Sequence, residues 1–128
     1  MSVINKQSTL DFTDLELDDI SMNFGNKLSK DFLFTVKIIS RKWNLIVLFH
    51  LHKNPFIGFN ELKKLIDKNL SSNSLSRTLQ ELLSFGLIEK RNVPGISNRV
   101  EYFSLVSGKD LSNIFSCIQN FAKSYNLA

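Results

Sequence analysis

Asn73, Arg77, Gln80 and Ser84 recur at spacings of three and four residues, and Leu75, Leu79, Leu82 and Leu83 fall at i, i+4, i+7 and i+8. On a helix turning 100° per residue the two sets fall on opposite sides. Arginine bonds guanine bidentately, asparagine and glutamine bond adenine bidentately, and a serine hydroxyl reaches phosphates or base edges, so the polar set matches what a base-pair edge offers. Ser72 and Ser74 stand in the first turn of the same segment. The same residue types also make an ordinary solvated helix face. A second set lies downstream: Lys90 and Arg91 before, and Asn98 and Arg99 at the end of, a Pro94-Gly95-Ile96-Ser97-Asn98 stretch rich in turn formers. On a hairpin these side chains would touch phosphates or enter a minor groove. Charge on a hairpin edge equally serves against edge-to-edge aggregation.

Several elements must position these residues. Ser29 with Asp31 predicts a helix start, with Phe32, Val36 and Ile39 as its stripe. Trp43 to His52 is apolar around most of its circumference, which predicts a central core helix ended by Asn54-Pro55. Phe59 to Ile66 reads as a short amphipathic helix capped by Asn60, with Leu62, Leu65 and Ile66 inward; Lys63 and Lys64 either meet phosphates or solubilise it. Asp67 to Leu70 forms a turn, Ser71-Ser72 caps the next helix, and Gly86 closes it. Leu87 to Val93 and Arg99 to Leu105 are predicted strands, and Asp110 to Tyr125 is a final helix. The order is helix, turn, helix, basic hairpin, which a winged helix-turn-helix uses on duplex DNA.

The net charge of +4 hides an asymmetry. Residues 1–31 hold three lysines against six acids, net −3; residues 32–128 hold thirteen Lys or Arg against six acids, net +7. A basic remainder suits a polyanionic partner, although many soluble proteins are as basic. The acidic residues 1–26 read as an N-terminal arm whose apolar spacing fits strand and helix equally, and residues 27–128 as one domain. No apolar run approaches the roughly 20 residues of a membrane span and Met1 to Thr9 has no secretion-signal pattern, so a cytoplasmic protein is expected. Cys117, the single cysteine, excludes an intrachain disulfide and is expected to be buried.

Enzymatic chemistry finds no support. No nucleophile elbow, phosphate-cradling glycine loop or ligand set is present. His50 and His52 point about 200° apart on a helix, so they cannot easily share a metal, and a structural role, one packed and one near the surface, is expected. Asp14, Glu16, Asp18 and Asp19 lack the glycine and terminal glutamate of a calcium loop. No cofactor or metal is expected.

The chain resembles the HxlR-type winged-helix transcriptional regulators of the wider MarR-like and PadR-like superfamily. The motifs that carry the resemblance run in order over about Ile38 to Ala122: Lys42-Trp43, Phe59-Asn60-Glu61-Leu62, Leu75-Ser76-Arg77-Thr78-Leu79, Phe85-Gly86-Leu87-Ile88 and Val100-Glu101-Tyr102. Members of that family usually place a basic residue before the Phe59 position, where this chain has Gly58, and many carry a redox-sensitive cysteine near the Lys30 position, where it has none. The resemblance implies operator binding by a homodimer but no thiol sensor.

The resulting expectation is a mainly α fold with a small β-hairpin wing and dimerisation helices at both ends. It would act as a sequence-specific DNA-binding transcriptional regulator, a homodimer on an inverted-repeat operator. Asn73, Ser74, Arg77 and Gln80 would read bases, while Ser72, Lys90, Arg91, Asn98 and Arg99 would hold the backbone or enter a groove. Leu28 to Ser40 and the last helix, with Phe121 and Tyr125, would form the dimer interface. The competing classes are a winged helix that binds protein and a sequence-blind architectural DNA-binding protein. Salt separates the first of these, because an apolar protein interface responds to it far less than phosphate contacts do.

Overall fold

Ser29 opens the first helix as its composition demands: the side-chain oxygen accepts the Phe32 N–H at 2.9 Å, and Asp31 adds negative charge to the first turn. This helix, α1, spans Lys30–Ile39 in a computed structural model that describes residues 28–95 and 98–127. The expected arm at residues 1–26 lies outside the described residues. α1 belongs to a compact unit ending at Ser40, and all remaining elements belong to a second unit, Arg41–Ala128. No α1 residue is buried, and Phe32, Leu33, Phe34 and Val36 are exposed.

In the second unit, α2 (Asn44–Lys53) is the central core helix expected from its all-round apolar sequence, with Val47, Leu48 and Leu51 buried. It stops at Asn54, whose N–H donates to the His50 carbonyl at 2.9 Å, and Pro55 follows. His50 is partly buried, which holds its imidazole below the usual histidine range, and His52 is exposed.

The sheet holds one strand more than a hairpin. β1 (Ile57–Gly58), β2 (Ile88–Asn92) and β3 (Val100–Ser104) form an antiparallel sheet of order β1-β3-β2. Ile57 pairs with Tyr102 and Gly58 with Glu101; across β3, Lys90 pairs with Tyr102 and Arg91 with Glu101. Phe56 enters β1 at φ +60°, a left-handed conformation that is strained for a bulky residue. Its ring is clamped by Phe103, 4.8 Å between centroids, and by the Arg91 guanidinium, 4.0 Å above it.

α3 (Phe59–Ile66) follows directly, and its cap corrects the sequence expectation. Gly58, not Asn60, is the N-cap, and its N–H donates to Glu61 Oε1 at 3.0 Å. Leu62 is buried and Ile66 packs on the core, but Leu65 is 47% exposed. Leu65 stands about 60° from Leu62, on the side away from Ile66, and so misses the contact. The turn at Asp67 closes through its own side chain, which accepts the Asn69 N–H at 2.8 Å, and through the Leu70 N–H on the Asp67 carbonyl at 3.0 Å.

α4 (Ser72–Ser84) buries Leu75, Thr78, Leu79 and Leu82. Gly86 ends it at φ +75°, with the Gly86 N–H on Leu83 O at 3.0 Å and the Leu87 N–H on Leu82 O at 3.1 Å. That pair of bonds is the Schellman closure, which favours glycine at this point. α5 (Gly108–Ser124) starts on Ser107, whose hydroxyl oxygen accepts the Asp110 N–H at 3.1 Å. Leu111 is its buried anchor and Phe115 packs beside it; towards the C-terminus Ile118, Phe121 and Tyr125 are exposed. Cys117 is exposed, against the expectation of a buried thiol, because it lies about 120° around α5 from Leu111.

The core is shared by every helix of this unit: Leu51 of α2, Leu62 of α3, Leu75, Leu79 and Leu82 of α4, and Leu111 of α5, closed by Ile88 of the sheet. Each fully buried leucine contributes about 1.5–3 kcal/mol of transfer free energy. The consequence is that α4 is fixed to the unit along one face and leaves the other open. No described helix is long and apolar enough to cross a membrane.

Candidate nucleic-acid interface

The open face of α4 starts from its cap. Ser71 Oγ accepts the Ser74 N–H at 3.0 Å and its hydroxyl donates to Ser74 Oγ at 3.0 Å. Ser74 is therefore tied into the helix start, half-buried; Ser72 is exposed in the first turn, and Asn73, Arg77 and Gln80 are exposed on the side away from the leucines. Ser71→Ala is expected to lower stability by about 0.5–2 kcal/mol. Thermal unfolding reads the loss, and an unchanged midpoint would contradict the role given to this cap.

Beyond α4 the described residues of the hairpin loop include Gly95 at φ +79° and Asn98 at φ +62°, both left-handed, and the loop is closed by the Val93 N–H on the Arg99 carbonyl at 3.0 Å. Asparagine tolerates this conformation, which serves as a backbone reason for Asn98 beside any contact it makes. Lys90 and Asn98 are exposed.

Arg91 and Arg99 have partners within the chain. Arg99 Nη2 donates to Glu61 Oε1 at 2.9 Å and Arg99 Nε to Glu101 Oε2 at 3.1 Å, while Arg91 Nη2 reaches Glu101 Oε1 at 3.2 Å. Two guanidinium groups and two carboxylates thus link α3, β3 and β2. The Gly58 N–H and then Arg99 hold the Glu61 carboxyl below its usual range, and Glu61 with Glu101 pushes the Arg99 guanidinium up. Arg99 also fills the space left by the missing side chain at Gly58, with its Nη1 3.4 Å from where a Cβ would stand. These two arginines brace the wing against α3.

Two cations outside the expected site residues sit beside the outward face of α4. Arg41 and Lys42 line a cleft of about 120 Å³ together with Trp43, Asn44, Ser74, Arg77, Thr78 and Glu81. Their place directly before Trp43 was the available signal, but no periodicity connects them to a segment more than thirty residues away.

Comparison with known proteins agrees with this architecture. The HxlR-like helix-turn-helix family model matches residues 38–128. An uncharacterized HTH-type transcriptional regulator of Methanothermobacter thermautotrophicus is 36% identical over 90 residues, covering 70% of this chain and 67% of that protein. The uncharacterized HTH-type transcriptional regulator BH0655 of Halalkalibacterium halodurans is 32% identical over 71 residues, 56% of this chain; the match spans 62% of that relative's length. In fold, the reduced form of the transcriptional regulator YodB from B. subtilis superposes with a TM-score of 0.67 at 20% identity, covering 77% of this chain and 95% of that one. With a family match over most of its length and a helix-turn-helix carrying a three-stranded wing, the chain belongs to the HxlR-like helix-turn-helix family of transcriptional regulators.

Proposed function

We propose that the protein binds an inverted-repeat operator as a two-fold homodimer, with one α4 in each of two successive major grooves. The observation that carries this reading is the division of α4: Leu75, Leu79 and Leu82 hold it on the core, and Asn73, Arg77 and Gln80 are left outward together. Those three side chains are the base readers, with Ser72 at the helix start on the backbone. Ser74 has a smaller share because its hydroxyl already serves the cap. Lys90 and Asn98 supply the wing contacts, and Arg91 and Arg99 act from their braced positions.

Dimerisation is supported by exposed apolar side chains on two helices of the described residues. On α5, Phe121 and Tyr125 are 60% and 66% exposed, their rings tilted at 45° with centroids 5.0 Å apart; on α1, Phe32 and Leu33 are exposed. One short helix makes few base contacts, and two half-sites about 34 Å apart double them. Sedimentation of the protein with a duplex of its preferred sequence should give two chains per duplex. One chain per duplex at saturation would contradict the dimer.

A further inference from the structure

The cleft between the start of α2 and the exposed side of α4 has a charge and shape of its own. Three cations, Arg41, Lys42 and Arg77, line it against one carboxylate, Glu81. Both oxygens of that carboxylate are engaged: Oε1 accepts from Asn44 Nδ2 at 3.2 Å, and Oε2 lies 3.4 Å from Arg41 Nη2. Asn44 is buried to 1% exposure, so Glu81 is held from below and holds Arg41 in turn, with 53% of the Arg41 side chain still exposed. Lys42 leans its ammonium over the Trp43 ring, 4.8 Å from the centroid, which fixes the direction of a long side chain. Arg77 belongs to both places, since it is at once a member of the outward α4 face and a wall of the cleft.

We propose that this cleft is a phosphate subsite: Arg41 and Lys42 receive a backbone phosphate of the duplex whose bases α4 reads. The inference rests on the DNA-binding reading above and adds to it a contact outside the recognition helix and the wing. An oriented cation pair beside a helix lying in the major groove meets the strand that borders that groove. A phosphate contact there fixes the register of α4 without carrying sequence information. The cleft, at about 120 Å³, is roomy enough for a phosphate group.

The test compares wild type with Lys42→Gln, which keeps most of the stem over Trp43 and removes the charge, and with Lys42→Arg, which restores it. Binding to the preferred duplex and to a random duplex is measured across a salt series, with thermal midpoints recorded for all three proteins. For Lys42→Gln the slope of log affinity against log salt should become shallower by about 1, equally on both duplexes, with the preference between them unchanged. Lys42→Arg should return the wild-type slope. An unchanged slope in Lys42→Gln, while wild type still selects its sequence, overturns the subsite alone. Absence of salt-dependent DNA binding in wild type overturns the DNA-binding reading and the subsite with it. A titration with inorganic phosphate separates the other source of the same chemistry: saturable binding by wild type, abolished in Lys42→Gln with the DNA slope unmoved, would assign the cleft to a free anion and overturn the backbone contact.

Discussion

Arg77→Ala is expected to weaken binding to the protein's preferred duplex by about 1–3 kcal/mol and to relax the preference at one base-pair position, leaving affinity for random DNA much less affected. The basis is geometric. Arg77 lies near the middle of α4, exposed, on the side opposite Leu75 and Leu79, which are buried at 0% and 2% exposure. A planar guanidinium held at that point can present two donors to one guanine edge. It also walls the phosphate cleft, so some loss on every sequence accompanies the loss of selectivity. The two contributions separate in one experiment, because a base contact changes the ratio between sequences and a phosphate contact changes the salt slope. Equal selectivity in wild type and Arg77→Ala would remove this residue from the reading set.

Leu75→Ala is expected to cost about 2–5 kcal/mol of folding free energy. Its side chain is fully buried in the cluster formed with Leu79, Leu82, Leu62 and Leu51, where truncation leaves a cavity as well as forfeiting burial. Set against a total of about 5–15 kcal/mol for an ordinary domain, the loss takes a large share of stability. Leu65→Ala is the matched control: the same chemical change at a leucine 47% exposed should cost much less. Denaturant midpoints of both variants decide the point, and equal losses would contradict the packing assigned to the two leucines.

That pair of leucines also shows how far the sequence could be read. The stripe Leu75, Leu79, Leu82 belongs to a helix long enough for its period to define a face, and that face is the buried one. Gly86 was equally legible, since a glycine at the end of such a stripe has a local reason to be there. α3, with eight residues, gives the period too little length to separate the exposed Leu65 from the inward Leu62 and Ile66. Its cap at Gly58 is not legible in the sequence, where Asn60 is the nearer capping residue, because the carboxylate that serves the start, Glu61, reaches back to a glycine with no side chain to announce it. β1 has two residues and follows a left-handed Phe56, and only its pairing with Tyr102 and Glu101, more than forty residues on, makes it a strand.

The candidate site divides in the same way. Asn73, Arg77 and Gln80 form a set defined by one helix, and spacing alone brings them together. The roles of Arg91 and Arg99 depend on Glu61 and Glu101, of which Glu61 lies 38 residues before Arg99, so charge alone could not distinguish a brace from a free contact. Arg41 and Lys42 join the site only because Glu81 and Asn44 draw the start of α2 against α4. Side-chain partners remote in sequence are the information that periodicity does not carry.

Selection of binding sites from random duplex DNA tests the central claim most directly. Enrichment of an inverted repeat with half-site centres about one helical turn apart, bound by wild type and losing its selectivity with Arg77→Ala, is the expected result. No enrichment over the starting pool, or binding indifferent to sequence, would contradict a dimer that reads DNA through α4.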